Sequence, residues 1–334
     1  MKLKKKDYLN ILIILSIFLL YLIIIYLKGY TLGSMVDWPS QHFTIPEYLR
    51  TLFYEKKALI PNFAFSLGGG QNIYYLTYHG LFNPLIILSY LLPFIKMSTY
   101  IICLNIAIVI LDAILMYKWL SNHFSKKITF LSTFIFILAC PIIYHSHRHL
   151  MFTSYTLING RSASSVVITL KDLLLPSTNI KKLFYDSYGI GLPLIVLFSM
   201  INNIITKEKK DKYLNITLIL FLFIPLFNYL LNGFMYIDAK SLIPLLPLYI
   251  YTISTFIQSI KENNYHNLTT IITLLITIIL VIKAAKPYTH FLLIDFIVVT
   301  ITIYLYKKNN NYYILLIPLL LISITNFISI NATE

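Results

Sequence analysis

Long apolar runs alternate along this chain with short polar connections in which lysine is frequent. A helix needs roughly 20 mostly apolar residues to cross the hydrocarbon core of a bilayer. Runs near that length lie at about 8–27, 98–119, 128–144, 188–206, 213–231, 242–260, 268–283, 289–306 and 312–330. They predict an all-α membrane protein, a polytopic helical bundle of about nine transmembrane helices. Two further segments are apolar without being spans. Residues 81–95 form a short run interrupted by Pro84 and Pro93, which reads as a helix lying along the membrane surface or re-entering it. Residues 46–57 read as an amphipathic helix, with Leu49, Leu52 and Phe53 on one face, Glu47, Arg50 and Glu55 mostly elsewhere, and Pro46 suited to the first turn. The expectation is two interfacial helices in the first outer loop, joined by the turn Ser66–Asn72.

Lysine placement gives the orientation. With the N-terminal Lys2, Lys4, Lys5 and Lys6 inside, the clusters Lys118/Lys126/Lys127, Lys207/Lys209/Lys210/Lys212, Lys261 and Lys307/Lys308 also fall inside. Loops 28–97, 145–187, 232–241 and 284–288 then lie outside, with Lys283/Lys286 as the one contrary pair. The run Tyr8–Leu27 is long for a signal-peptide core and no small-residue cleavage site follows it, so it reads as a retained span.

Composition narrows the class. Only 12% of the 334 residues are charged, about half the usual fraction of a soluble domain, so the excess apolar surface faces lipid. A net charge of +14 would suggest nucleic acid in a soluble protein, but most of these lysines flank apolar runs, which points to topology and membrane-lipid headgroups instead. Cys103 and Cys140 both fall in apolar runs and imply no disulfide framework.

Candidate chemistry concentrates in the outer loops. Asp37-Trp38 stands just beyond the first span, with Gln41-His42 close by; Asp37 suits a general base or a metal ligand, or else a solvated carboxylate beside an interfacial Trp. Gly68-Gly69-Gly70 permits close backbone approach and an anion nest; it lacks the Lys and Ser/Thr of a P-loop, no strand is expected before it, and a flexible turn between surface helices accounts for it equally. His145-Ser146-His147-Arg148-His149 suits phosphate binding with Arg148 as fixed charge, a divalent cation, or a basic cap on a helix end. Arg161, Lys171 and Lys240 add outer cations. Inside the spans, Asp112 and Asp295 are the carboxylates to explain. Structural pairing is the expectation for both, Asp112 with Lys118 or another helix; a proton path would make the chain a transporter or a translocator of a lipid-linked glycan.

Taken together, Asp37-Trp38 with Gln41-His42, Pro46–Arg50, Leu67–Asn72, Gly80–Pro84, His145–His149, Asn159–Ser162, Tyr188–Gly191 and Leu231–Gly233 followed by Tyr236–Lys240 resemble the YfhO family of bacterial membrane proteins. That family resembles the C-type (GT-C) glycosyltransferases, which take a sugar from a polyprenyl-phosphate carrier at the outer membrane face. The resemblance implies an inverting glycosyltransferase of the bacterial cytoplasmic membrane, decorating a cell-wall polymer such as lipoteichoic acid. It implies Asp37 as the base. Gln41, His42, Arg50, Gly68, Gly69, Gly70, Gln71, His145, His147, Arg148, His149 and Arg161 would serve the substrates, with a divalent cation as an optional cofactor. The chain would divide into an N-terminal module, 1–155, and a C-terminal membrane region, 156–334, of about six spans. It departs from the family in length: the His145–His149 and Asn159–Ser162 motifs nearly abut where family members carry further spans, and the C-terminal region is short. An internally deleted, non-catalytic remnant or a partner subunit is the alternative expectation.

Overall fold

A computed structural model describes residues 5–29, 32–33, 38–60, 62–67, 69–74, 76, 80–145, 184–185, 189–231, 237, 239–283, 286–309 and 311–318. Helices dominate: α1 (Lys5–Leu27), α2 (Thr44–Lys56), α3 (Pro84–Leu88), α4 (Met97–Leu120), α5 (Lys126–Leu138), α6 (Cys140–His145), α7 (Ile195–Thr206), α8 (Lys209–Phe223), α9 (Pro225–Leu231), α10 (Leu246–Lys261), α11 (Asn267–Lys283) and α12 (Lys286–Asn309). Among the described residues three helical stretches are long and apolar enough to cross a membrane: Lys5–Leu27, Met97–Leu120 and Ala239–Lys261, the last beginning as a 3-10 turn. Only 28% and 33% of the first two is buried, against 67% of the third, so α1 and α4 present apolar surface outward while α10 lies in the core.

The other expected spans hold helices that are shorter or broken, and proline explains the breaks. The run expected at 128–144 divides at Ala139, whose ψ of 136° is not helical, just before Cys140-Pro141. The run 213–231 divides at Ile224, before Pro225; α8 and α9 meet at 88° and make a fourth span if they are counted as one. Proline cannot donate to the preceding turn and crowds it, and at Pro225 the residue directly before it, Ile224, is extended as well. The last expected run, 312–330, is described only through residue 318.

The chain forms two compact units, and the division passes within α1 and α4. The boundary expected near residue 155 lies outside the described residues. One unit comprises Met1–Phe18, Ala113–Ile143 and Ser164–Glu334. Its core is α7, α10 and α5, with α8 and α11 packed on α7. Residues 195–203 of α7 are buried on every side, polar ones included. A polar seam joins these helices. Asn203 Nδ2 donates to the Thr252 carbonyl at 3.0 Å and to Thr255 Oγ1 at 2.6 Å, Ser199 and Thr252 hydroxyls meet at 3.3 Å, and Ser254 Oγ donates to Ser132 Oγ at 2.7 Å. Asn202 Oδ1 accepts from Thr269 Oγ1 at 3.1 Å, and Tyr249 OH donates to the Leu218 carbonyl at 3.0 Å. Between apolar helices such bonds supply the specificity that hydrophobic contact cannot. The extended residues before α7 pass tightly over the start of α6: Gly191, at φ +57°, accepts from Cys140 N at 3.1 Å, and a Cβ there would stand 2.1 Å from Pro141 Cδ.

The second unit comprises Leu19–Asp112 and Tyr144–Ala163. Trp38–His42 forms a single wide turn leading into α2, whose Ile45, Leu49 and Leu52 pack on Ala64, Ile73, Leu76 and Leu81. Between α2 and α3 the chain makes a hairpin, β1 (Phe63–Ala64) antiparallel to β2 (Gln71–Asn72), with Ala64 opposite Gln71. A strand therefore does precede the glycine run, contrary to expectation; the alternation around Phe63-Ala64-Phe65 was its signal. The amphipathic helix expected at 46–57 is α2. Segment 81–95 yields only α3 and a 3-10 turn, Ser89–Leu91, with Asn83 capping α3 through its Oδ1 and Pro84 in the first turn. A second apolar cluster joins Trp38, Ile86, Met97, Tyr100 and Ile101.

Candidate functional site

The site expected from sequence centres on Asp37, which lies outside the described residues, as do Gly68, His147, Arg148, His149 and Arg161. Of His145 the backbone alone is described, at the end of α6. The second unit does describe residues on either side of Asp37 in sequence. Gly33 and Trp38 flank it in sequence and touch one another. A Cβ on Gly33, at φ +132°, would stand 3.2 Å from the Trp38 indole, so only glycine fits this approach without displacing the ring. Trp38 is buried with Ile86 and Tyr100 beneath it, and Tyr100 OH donates to the Leu85 carbonyl at 2.6 Å. The Trp38–His42 turn is tied forward to α2, where the Thr44 hydroxyl donates to the Pro39 carbonyl.

Gln41 is half-buried, and His42 is buried with its ring centroid 6.4 Å from that of Trp38. Gly69 and Gly70, at φ +79° and +99°, close the hairpin with Gly70 N donating to the Leu67 carbonyl at 3.0 Å. Gly70 lies under the Phe63 ring, 3.0 Å from where a Cβ would be, and Gln71 is half-buried in β2. Glycine here serves turn geometry and aromatic packing.

Arg50 behaves differently from the expectation. It does not lie on the polar face of α2 but is 3% exposed, pointing into the unit. Its guanidinium donates to Glu47 Oε2 at 2.6 Å, to the Leu92 carbonyl at 3.2 Å and to the Ile95 carbonyl at 3.0 Å. The fork geometry of guanidinium suits two nearby carbonyls at once, that of Leu92 also accepting from Ile95 N at 3.1 Å. Arg50 therefore fastens α2 to the 3-10 turn and the start of α4. Beside it, Tyr54 OH donates to the Tyr90 carbonyl, and burial pushes the Tyr90 phenol up to about 12 although the Arg50 charge pulls the other way.

Two polar clusters of the first unit were not legible as pairs. Asp295 is buried and its Oδ2 accepts from Tyr185 OH at 2.8 Å and from Leu194 N at 2.7 Å, partners 110 and 101 residues away in sequence. Asp7, also buried, pairs with Lys126 Nζ at 2.8 Å and accepts from Tyr117 OH at 3.3 Å; Tyr117 in turn accepts from Asn10. Asp112 has no hydrogen-bond or ion-pair partner among the described residues, Lys118 included. No group of three or more His, Cys, Asp or Glu that could hold a metal occurs among the described residues, and neither Cys103 nor Cys140 is in a disulfide. The chain is a helical protein with several helices suited to a membrane. Comparison with family models, with curated proteins and with solved structures finds no match to it.

Proposed function

We propose that the chain is a membrane-embedded transferase of GT-C type, moving a sugar from a polyprenyl-phosphate carrier to a cell-wall polymer at the outer face of the bacterial cytoplasmic membrane. The observation that carries this reading is the pinning of both flanks of Asp37: Gly33 and Trp38 are locked together on a packed unit directly after an apolar helix of spanning length. A carboxylate lying in sequence between two such residues, just beyond a helix of spanning length, suits a base that must meet a substrate whose lipid tail stays in the bilayer. In the proposed step an acceptor hydroxyl attacks the anomeric carbon with inversion. Asp37 takes the hydroxyl proton, the carbon–oxygen bond to the carrier breaks, and the phosphate leaves as an anion. Arg148, with His145, His147, His149 and Arg161, supplies the positive charge that meets it. Arg50 is withdrawn from that set by its own hydrogen bonds and instead keeps the unit folded.

The test is transfer of radiolabelled polyprenyl-phosphate sugars to teichoic-acid-type acceptors in reconstituted membranes. Asp37→Asn is expected to lower transfer by about a hundredfold or more while insertion and melting stay as in the native chain. Transfer that survives the substitution removes Asp37 as base. A well-inserted native chain that transfers nothing supports the alternative, a non-catalytic partner subunit.

A further inference from the structure

Asp295 stands near the middle of α12, in the expected run 289–306, and is 6% exposed. Its Oδ2 takes two hydrogen bonds, from Tyr185 OH and from Leu194 N. Its Oδ1 takes none from a described residue, and no described cation pairs with it. Leu194 stands at the N-terminus of α7, so the helix dipole answers roughly half an elementary charge. What remains is a net negative charge among apolar helices, where an unanswered carboxylate is costly.

The chain that leads into Leu194 is not helical. Ile190, Leu192 and Leu194 are fully buried, the setting in which irregular backbone is tolerated among spanning helices. The carbonyls of this stretch are not all used. That of Gly191 accepts from Cys140 N, and those of Pro193 and Leu194 accept from the first turn of α7. Those of Ile190 and Leu192 accept no hydrogen bond from a described residue. An open carboxylate oxygen and neutral carbonyl oxygens of an unwound segment make a donor set for a hard cation. One carboxylate matches one positive charge, whereas calcium sites draw on several. We infer that Asp295 and the segment before α7 hold a monovalent metal cation, sodium, inside the first unit. The inference does not depend on the transferase reading.

The experiment uses the full chain in detergent at constant ionic strength, with bound radioactive sodium counted by scintillation proximity. The native chain is expected to bind a single sodium ion that unlabelled sodium displaces and choline does not. Asp295→Asn, which keeps an oxygen for Tyr185 and Leu194, is expected to bind it about thirtyfold more weakly. Glu262→Gln, the same charge loss at an exposed residue, is expected to bind as the native chain does. A native chain that binds no sodium overturns the site, as does equal binding by Asp295→Asn. A second readout needs no variant and so stands even where Asp295→Asn fails to fold. A hydrophobic carbodiimide modifies carboxyl groups within apolar surroundings, and mass spectrometry gives the rate at Asp295. Sodium is expected to slow that rate severalfold and choline to leave it unchanged. A rate indifferent to sodium overturns the site, since the carboxyl would then be kept neutral by a proton.

Discussion

Arg50 shows how far a single residue can depart from its place in a sequence pattern. Helical periodicity puts it off the apolar face of α2, and that is a statement about α2 alone. The carbonyls of Leu92 and Ile95, over forty positions away, turn it inward. No local signal announces them, because they exist only once α3 and its 3-10 turn have ended short of α4. Arg50→Met is expected to cost about 1–3 kcal/mol, as the partly buried Ile95 carbonyl loses its donor and the Leu92 carbonyl and Glu47 each lose one hydrogen bond. Thermal melting in detergent measures it, and a melting temperature unchanged from the native chain would show that the clamp carries no stability. Asp37 lies outside the described residues, and of its neighbours in sequence the structure shows Gly33 against Trp38, a contact that no spacing rule foresees.

Among the elements, apolar length located the helices well and proline located their breaks, but only when each was read with the other. Each expected run from 8–27 to 289–306 contains described helix, although in 188–206 the helix begins only at Ile195. The errors came from treating 128–144 and 213–231 as unbroken although Pro141 and Pro225 stand inside them. The polar seam was less legible still. Asn203, Thr252 and Thr255 sit in ordinary apolar runs, and nothing in their spacing tells a buried hydroxyl from one facing lipid. Asn203→Leu removes both donors to α10 while keeping size. It is expected to destabilise the first unit by about 1–2 kcal/mol, the scale of hydrogen bonds between membrane helices. Unfolding in mixed micelles reads the change; a more stable variant would mean that the seam serves specificity rather than strength.

At the scale of the whole molecule, the connections assigned to one membrane face by charge are joined by contact within the first unit. Asp7 meets Lys126, His123 and Phe124 stack near Tyr251, His266 N donates to Asn202, and Lys307 lies over the Tyr265 ring at 4.7 Å. Contact of this kind agrees with the grouping expected from charge, and the orientation proposed from the lysine bias is open to a direct test. In a chain with Cys103 and Cys140 replaced, an impermeant thiol reagent is expected to label Ser66→Cys in intact cells and Lys210→Cys only after permeabilisation. The opposite pattern would invert the proposed orientation and, with it, the face on which Asp37 is proposed to act.

The right-angled break at Pro225 has a consequence for biogenesis. A lateral gate that admits helices one at a time recognises about 20 apolar residues in line. Here it meets 15 and then 7, the first opening on lysines. Neither piece satisfies that requirement alone, so their entry into lipid depends on a later arrival, α10, whose Tyr249 grips the Leu218 carbonyl. Nascent chains halted before residue 246 are expected to leave 209–231 accessible to an aqueous glycosylation or labelling probe, and chains halted after 283 to protect it. Protection already in the shorter chain would mean that the broken pair enters unaided. Protection only in the longer chain would make order of synthesis part of the fold, with one tyrosine deciding when an unfinished segment becomes a finished one.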